Sequence, residues 1–240
     1  MHAPASPVIP VELLLRAYRA GVFPMADHRS DPEVYWVEPR ERAVIPLDGF
    51  RMTKSLRKTI RRDRFRITCD QAFAEVIAAC AEPREEHAES WISHRIEASY
   101  NALADAGYAH SIECWDDGEL AGGLYGVAFD RVFCGESMFS RQADASKVAL
   151  AWLVAVMREA GYRLLDCQFM TTHLASMGAV ALPQASYLDL LSQAMGRPLQ
   201  TIPAVMARYS EAAVSSASAP ASPSPSSPGK LIAQSFTQTS

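Results

Sequence analysis

Three apolar runs inside thirty residues, Ala109 to Trp115, Leu120 to Val127 and Val132 to Glu136, constrain this chain more than any other feature. Asp116-Asp117-Gly118 separates the first two. That triplet accepts the positive φ that a tight hairpin needs, so the runs are expected to form an antiparallel meander. A helical pattern follows, opened by Asp144 or Ser146 and closed by Gly161, and Arg163 to Gln168 then returns as a strand. A short helix around Leu174 and another from Gln184 to Met195 complete the order β-β-β-α-β-α. The expected class is α+β.

Ahead of the meander, Pro10 and Gly21 bracket a helix, and Phe23-Pro24 ends it. A second helix is expected from Thr53 to Arg62, then a strand from Phe65 to Thr68, a helix capped by Asp70 running to Cys80, and one capped by Ser93 running to Ala106. These divisions suggest a small amino-terminal subdomain over residues 8–66 and a main domain over 67–200, with a tail over 201–240. Residues 215–229 hold seven serines and four prolines, a composition that buries too little surface to fold, so the tail is expected to be mostly disordered.

Charge points to a polyanionic partner despite a net charge of −4. Eight of the 23 Lys and Arg residues fall between Arg51 and Arg66, against the single acid Asp63. Lys54, Arg57, Lys58 and Arg61 follow i, i+3, i+4, i+7 spacing and, with Arg62 beside them, would form one helical stripe suited to a phosphate backbone. The other reading is a solvated basic face. Five cysteines without a Cys-x-x-Cys pair indicate neither a disulfide framework nor a zinc knuckle, and no metal is expected. No apolar run approaches the roughly 20 residues that cross a bilayer, and the first seven residues lack the pattern of a signal peptide. A cytoplasmic protein with no membrane partner is expected.

Polar groups set among large apolar ones mark the candidate site: Phe133 to Ser140, and Leu164 to Gln168. Along a strand alternate side chains share a face, so Asp166 and Gln168 are expected to project together with Leu165 and Cys167 packed behind them. A carboxylate beside an amide can polarise it, making the amide oxygen a better acceptor for a proton on a reacting amine. Alternatively, Asp166 caps the following helix. Cys167 reads either as a nucleophile or, lacking an adjacent base, as a small buried hydrophobe.

The meander with its glycines at 122, 123 and 126, followed by a helix and a strand, is similar to the core of GCN5-related N-acyltransferases. A more specific resemblance rests on several blocks in one order: Ala17 to Pro24, Ser90-Trp91-Ile92, Gly107 to Glu113, Gly122 to Val127, Gly135 to Ser140, Ala145-Ser146-Lys147 and Asp166-Cys167-Gln168. Through these the chain resembles the leucyl/phenylalanyl-tRNA–protein transferase family over about residues 12–193. The resemblance implies transfer of leucine or phenylalanine from aminoacyl-tRNA to the amine of proteins beginning with Arg or Lys. The donor ester is already activated, so no cofactor is implied. It also implies that Asp166 polarises Gln168, that Gln168 assists the amine, and that Glu136 orients the substrates. An amino-acid pocket is implied at Leu124, Phe133, Met138, Leu150 and Leu165 with Ser140 at its edge, and Trp91 is implied near the terminal adenosine of the tRNA. Met25 stands where the family usually has tryptophan, and the amino-terminal subdomain is abbreviated. Two other functions fit parts of the sequence. An acetyl-CoA-dependent N-acetyltransferase needs a glycine-bearing pyrophosphate loop, and Arg141 to Lys147 holds no glycine. A non-catalytic module binding tRNA ends would need neither Asp166 nor Gln168.

Overall fold

The computed structural model describes residues 8–83, 89–217 and 227–236. The elements in chain order are α1 (Val11–Arg19), β1 (Phe23–Met25), β2 (Tyr35–Val37), β3 (Glu41–Ile45), α2 (Lys54–Arg61), β4 (Arg66–Cys69), α3 (Phe73–Cys80) and α4 (His94–Asp105). There follow β5 (Ala109–Asp116), β6 (Glu119–Phe129), β7 (Val132–Ser140), α5 (Ala145–Ala160), β8 (Leu164–Gln168), α6 (Thr172–Ser176), β9 (Val180–Pro183), α7 (Gln184–Gln193), α8 (Ile202–Ala217) and α9 (Pro228–Ser235). The class is α+β with a mixed sheet.

One seven-stranded sheet in the order β4-β5-β6-β7-β8-β3-β9 organises the molecule. The expected meander is β5-β6-β7, and the strand after α5 joins it in parallel, Cys134 opposite Asp166. Helix α5 is buried on nearly every side, which its run of Ala, Val and Leu permits, and Gly161 at φ +80° ends it. The sheet separates two apolar cores. Leu124, Phe133 and Leu165 face α5, α8 and α9, whereas Tyr125, Val127 and Leu164 face α1, α3 and α4. Alternation along the strands carries this division, and a bulge at Tyr125/Gly126 adjusts it. There a Cβ on Gly126 would lie 2.2 Å from the Cys134 carbonyl and 2.4 Å from the Phe133 ring, so glycine lets that ring close the core.

Residues 8–66, expected as a subdomain of their own, share both cores and supply β3 to the main sheet between β8 and β9. The 201–240 tail is likewise helical over α8 and α9, with Ile202, Val205, Met206, Ile232 and Ala233 buried. Of the Ser/Pro-rich stretch, residues 218–226 lie outside the described residues, as do 237–240. Asp70 does not cap α3. It accepts from the backbone N–H of Ser111 at 2.8 Å and meets His110 Nδ1 at 2.7 Å, and α3 begins three residues later. Among the described residues no helix is long and apolar enough to cross a membrane.

Candidate active site

Strand β7 and the end of β8 meet at Glu136 and Gln168, and both line an open cavity of about 790 Å³. Gln168 Nε2 donates to Glu136 Oε1 at 2.8 Å. The backbone makes this contact possible. A bulge between Ala43 and Val44 of β3 leaves Cys167 without a partner in the register, and Gln168 then takes φ +57°. A left-handed backbone at the end of β8 sets where the Gln168 side chain is aimed.

Glu136 is held from behind. Tyr18 Oη donates to its Oε1 at 2.8 Å and Tyr100 Oη to its Oε2 at 3.0 Å, and the two hydroxyls also touch each other. Burial raises both tyrosine pKa values well above the usual phenol range, with the Glu136 charge as the next cause, so both remain neutral donors. Glu136 itself is pushed up to about 7: burial disfavours its charge, the two tyrosine hydrogen bonds oppose that effect, and the Asp166 charge adds to it. With Nε2 held by Glu136, the amide oxygen of Gln168 is the free acceptor of that side chain.

Asp166 lies away from the cavity, fully buried. Its carboxylate forms a paired bond with Arg42, Nε to Oδ1 at 2.9 Å and Nη2 to Oδ2 at 2.6 Å, and accepts from Tyr187 Oη at 3.0 Å. The Gln168 backbone N–H donates to Asp166 Oδ1 at 2.9 Å. The expected polarisation of the Gln168 side chain by Asp166 is therefore not the contact formed; Asp166 fixes the backbone that aims Gln168. Arg42, also fully buried, donates to the Gly21 carbonyl at 3.0 Å and lies between the rings of Phe23 and Tyr187, 4.7 and 4.4 Å from their centroids. Leu165 and Cys167 pack on the other face of β8 with the core of Leu124 and Phe133, as expected, and both also edge the cavity. Burial, then the Asp166 charge, raises the Cys167 thiol pKa, which leaves it a poor nucleophile and fits the reading as a core thiol. Among the described residues no cluster of three or more His, Cys, Asp or Glu could hold a metal ion.

Comparison with known proteins decides the family. A family model described as leucyl/phenylalanyl-tRNA protein transferase matches residues 44–192, and one for its N-terminal domain matches 9–40. The chain belongs to the leucyl/phenylalanyl-tRNA protein transferase family. A relative of that name from Novosphingobium aromaticivorans is 66% identical over 186 residues, covering 78% of this chain and 71% of its own. Those from Zymomonas mobilis and Paramagnetospirillum magneticum are 54% and 51% identical, covering 78% and 77% of this chain and 70% and 88% of theirs. Among solved structures, the C-terminal domain of a putative lysylphosphatidylglycerol synthetase from Agrobacterium fabrum matches at 14% identity and a TM-score of 0.36, over 69% of this chain and 54% of that one. Likeness at that level says nothing about chemistry. The chain is an aminoacyltransferase by its family.

In this member of the family, the expected pocket residues Leu124, Met138, Ser140, Leu150 and Leu165 all line the cavity that Glu136 and Gln168 face. Phe133 does not; it is fully buried in the core against Gly126. Trp91 is cavity wall, and so is Met25. Thr53 caps α2 by accepting from the Leu56 N–H at 3.1 Å, and Leu56 and Ile60 are buried beneath it. Lys54, Arg57, Lys58, Arg61 and Arg62 face outward and line a separate shallow groove. Sequence reasoning missed Tyr18, Tyr100, Arg42 and Tyr187. It also missed His173, a cavity residue whose Nε2 is buried without a hydrogen-bond partner and whose pKa is lowered by burial and by Lys147. Tyr18 stands in a block that carried the resemblance, and a phenol on the apolar face of a helix was the available signal. No comparable pattern surrounds Arg42.

Proposed function

We propose that the chain transfers leucine, also phenylalanine and weakly methionine, from aminoacyl-tRNA to the N-terminal amine of proteins beginning with Arg or Lys. The reaction would occur in the cytoplasm and mark those proteins for degradation. The observation that carries the reading is the Gln168 Nε2 to Glu136 Oε1 bond, which orients an amide acceptor at the wall of an apolar cavity. In the reaction, Gln168 Oε1 holds one N–H of the acceptor amine while its nitrogen attacks the aminoacyl carbonyl. The C–N bond forms, the ester C–O bond breaks, and the proton passes to the leaving ribose oxygen. An α-amino group titrates at about 7.7 to 8.0, so near neutral pH a positioned acceptor assists its minority neutral form. Leu124, Met138, Leu150 and Leu165 receive the donor side chain with Ser140 at the edge, and Phe133 supports that wall from the core. Trp91 stacks on the terminal adenosine, a contact worth about 1 to 3 kcal/mol in comparable cases. The basic stripe of α2 holds the tRNA phosphates, and no cofactor takes part. The meander, α5 and the parallel β8 support a fold like that of GCN5-related N-acyltransferases.

Incubation with radiolabelled leucyl-tRNA and peptides differing only in their first residue tests the reading. Label is expected on peptides beginning with Arg and Lys. Equal labelling of peptides beginning with Asp or Glu, or none at all, would overturn it.

A further inference from the structure

Helix α9 lies beyond residues 9–192, the span of the family models, yet it is seated on α2. Three contacts fix it there. The Gly229 N–H donates to Asp63 Oδ1 at 2.7 Å, just past the end of α2. Gly229 is buried so close to α2 that a Cβ on it would lie 2.0 Å from the Ile60 carbonyl oxygen. Ile232 and Ala233 are buried in the core that holds Leu56 and Ile60, and the Phe236 ring lies 5.4 Å from that of Phe50. This docking turns Lys230 outward into the shallow groove of α2. The groove, of about 320 Å³, is then lined, among the described residues, by six cations alone: Lys54, Arg57, Lys58, Arg61, Arg62 and Lys230.

Such an arrangement runs against its own charge. Two like charges 4 Å apart repel by about 1 kcal/mol even in water, so the apolar face of α9 must offset the cost of adding a sixth cation to five. Asp63, bound by the Gly229 N–H, is one acid beside six cations and is not part of the lining. A run of phosphates would favour the cluster, because each neutralised phosphate releases condensed counterions.

We infer that α9 is part of the RNA-binding face: docked on α2, it makes Lys230 a sixth phosphate contact for the tRNA donor. The inference rests on the proposed role of the α2 stripe, and three variants of the full chain separate the two. Lys230→Gln removes the charge and leaves the helix. Gly229→Val retains the charge and forces the helix off α2. Lys54, Arg57, Lys58 and Arg61 all changed to Gln test the stripe itself.

Affinity for uncharged tRNA would be measured from about 50 to 200 mM salt, where such contacts are most visible. Lys230→Gln is expected to flatten the slope of log affinity against log salt by about 0.7 to 0.9, and Gly229→Val by at least as much. An unchanged slope in both, beside a flattened slope in the quadruple variant, would remove α9 from the interface and leave the stripe in place. An unchanged slope in all three would overturn the reading of the stripe. Loss of binding to phosphatidylglycerol vesicles in Lys230→Gln, with tRNA binding intact, would assign the groove to a lipid surface and contradict the inference.

Discussion

Glu136 is asked to be ionised in a place that resists charge. Its pKa of about 7 lies above the ordinary 4.5, so the native state holds a proton between those values that the unfolded chain has released. The stability this contributes is complete below about pH 4.5 and lost as pH rises through about 7, amounting to something on the order of 3 kcal/mol. Function is expected to have the opposite sign, because the carboxylate is the stronger acceptor for Tyr18, Tyr100 and Gln168. Below pH 7 the logarithm of the transfer rate should therefore steepen toward a slope of two, one proton going to the acceptor amine and one to Glu136. Glu136→Gln removes the second step. Its new amide can also turn Gln168 around, so transfer should drop at least tenfold while the urea midpoint at pH 8 holds or rises. A variant that keeps the steep profile, or unfolds more easily at pH 8, would contradict this role. Of this centre, Glu136 and Gln168 were legible as polar groups between apolar ones, but their partnership was not. Alternation set Asp166 and Gln168 on one face, but could not show that Asp166 would be taken by Arg42 and Tyr187 and Gln168 by Glu136.

Among the elements, β3 does the most that its sequence hides. Five residues with charge at Glu41 and Arg42 carry no clear alternation, and the strand exists through pairing with β8 and β9. Strands β1, β2 and β9 were missed for the same reason, being three or four residues each. Long elements with their own punctuation, α5 between Asp144 and Gly161 or the hairpin at Asp117-Gly118, could be read directly. Pairing β3 with β8 brings Arg42 to Asp166, and both side chains are wholly buried. Removing one partner of such a pair leaves a charge with no compensation. Arg42→Met should therefore cost about 3 to 5 kcal/mol in urea unfolding. Adding Asp166→Leu should recover much of that stability without recovering transfer, because the Gln168 backbone loses its anchor. Full stability in Arg42→Met would mean that Asp166 is not charged in the fold.

For the whole molecule, the sheet places two surfaces of different character: an apolar cavity at the junction of β7 and β8, and a cationic groove on α2. In the proposed function the cavity would set donor choice through shape, and one methylene in such a pocket discriminates by only about 1 to 3 kcal/mol. Leucyl-tRNA is expected to lead, followed by phenylalanyl-tRNA and methionyl-tRNA. Leu150→Phe should lower transfer of leucine and phenylalanine while binding of uncharged tRNA, read on the groove, stays within twofold. Efficient isoleucyl transfer by the unaltered chain would mean that the pocket is differently shaped. The central claim is that Glu136 and Gln168 act as one unit on the acceptor amine, and single-turnover transfer from leucyl-tRNA to an Arg-initiated peptide addresses it most directly. Gln168→Ala should lose on the order of a hundredfold with tRNA affinity unchanged, and Gln168→Ala combined with Glu136→Gln should be little slower. Normal turnover in Gln168→Ala, or losses that simply multiply in the double variant, would contradict the account.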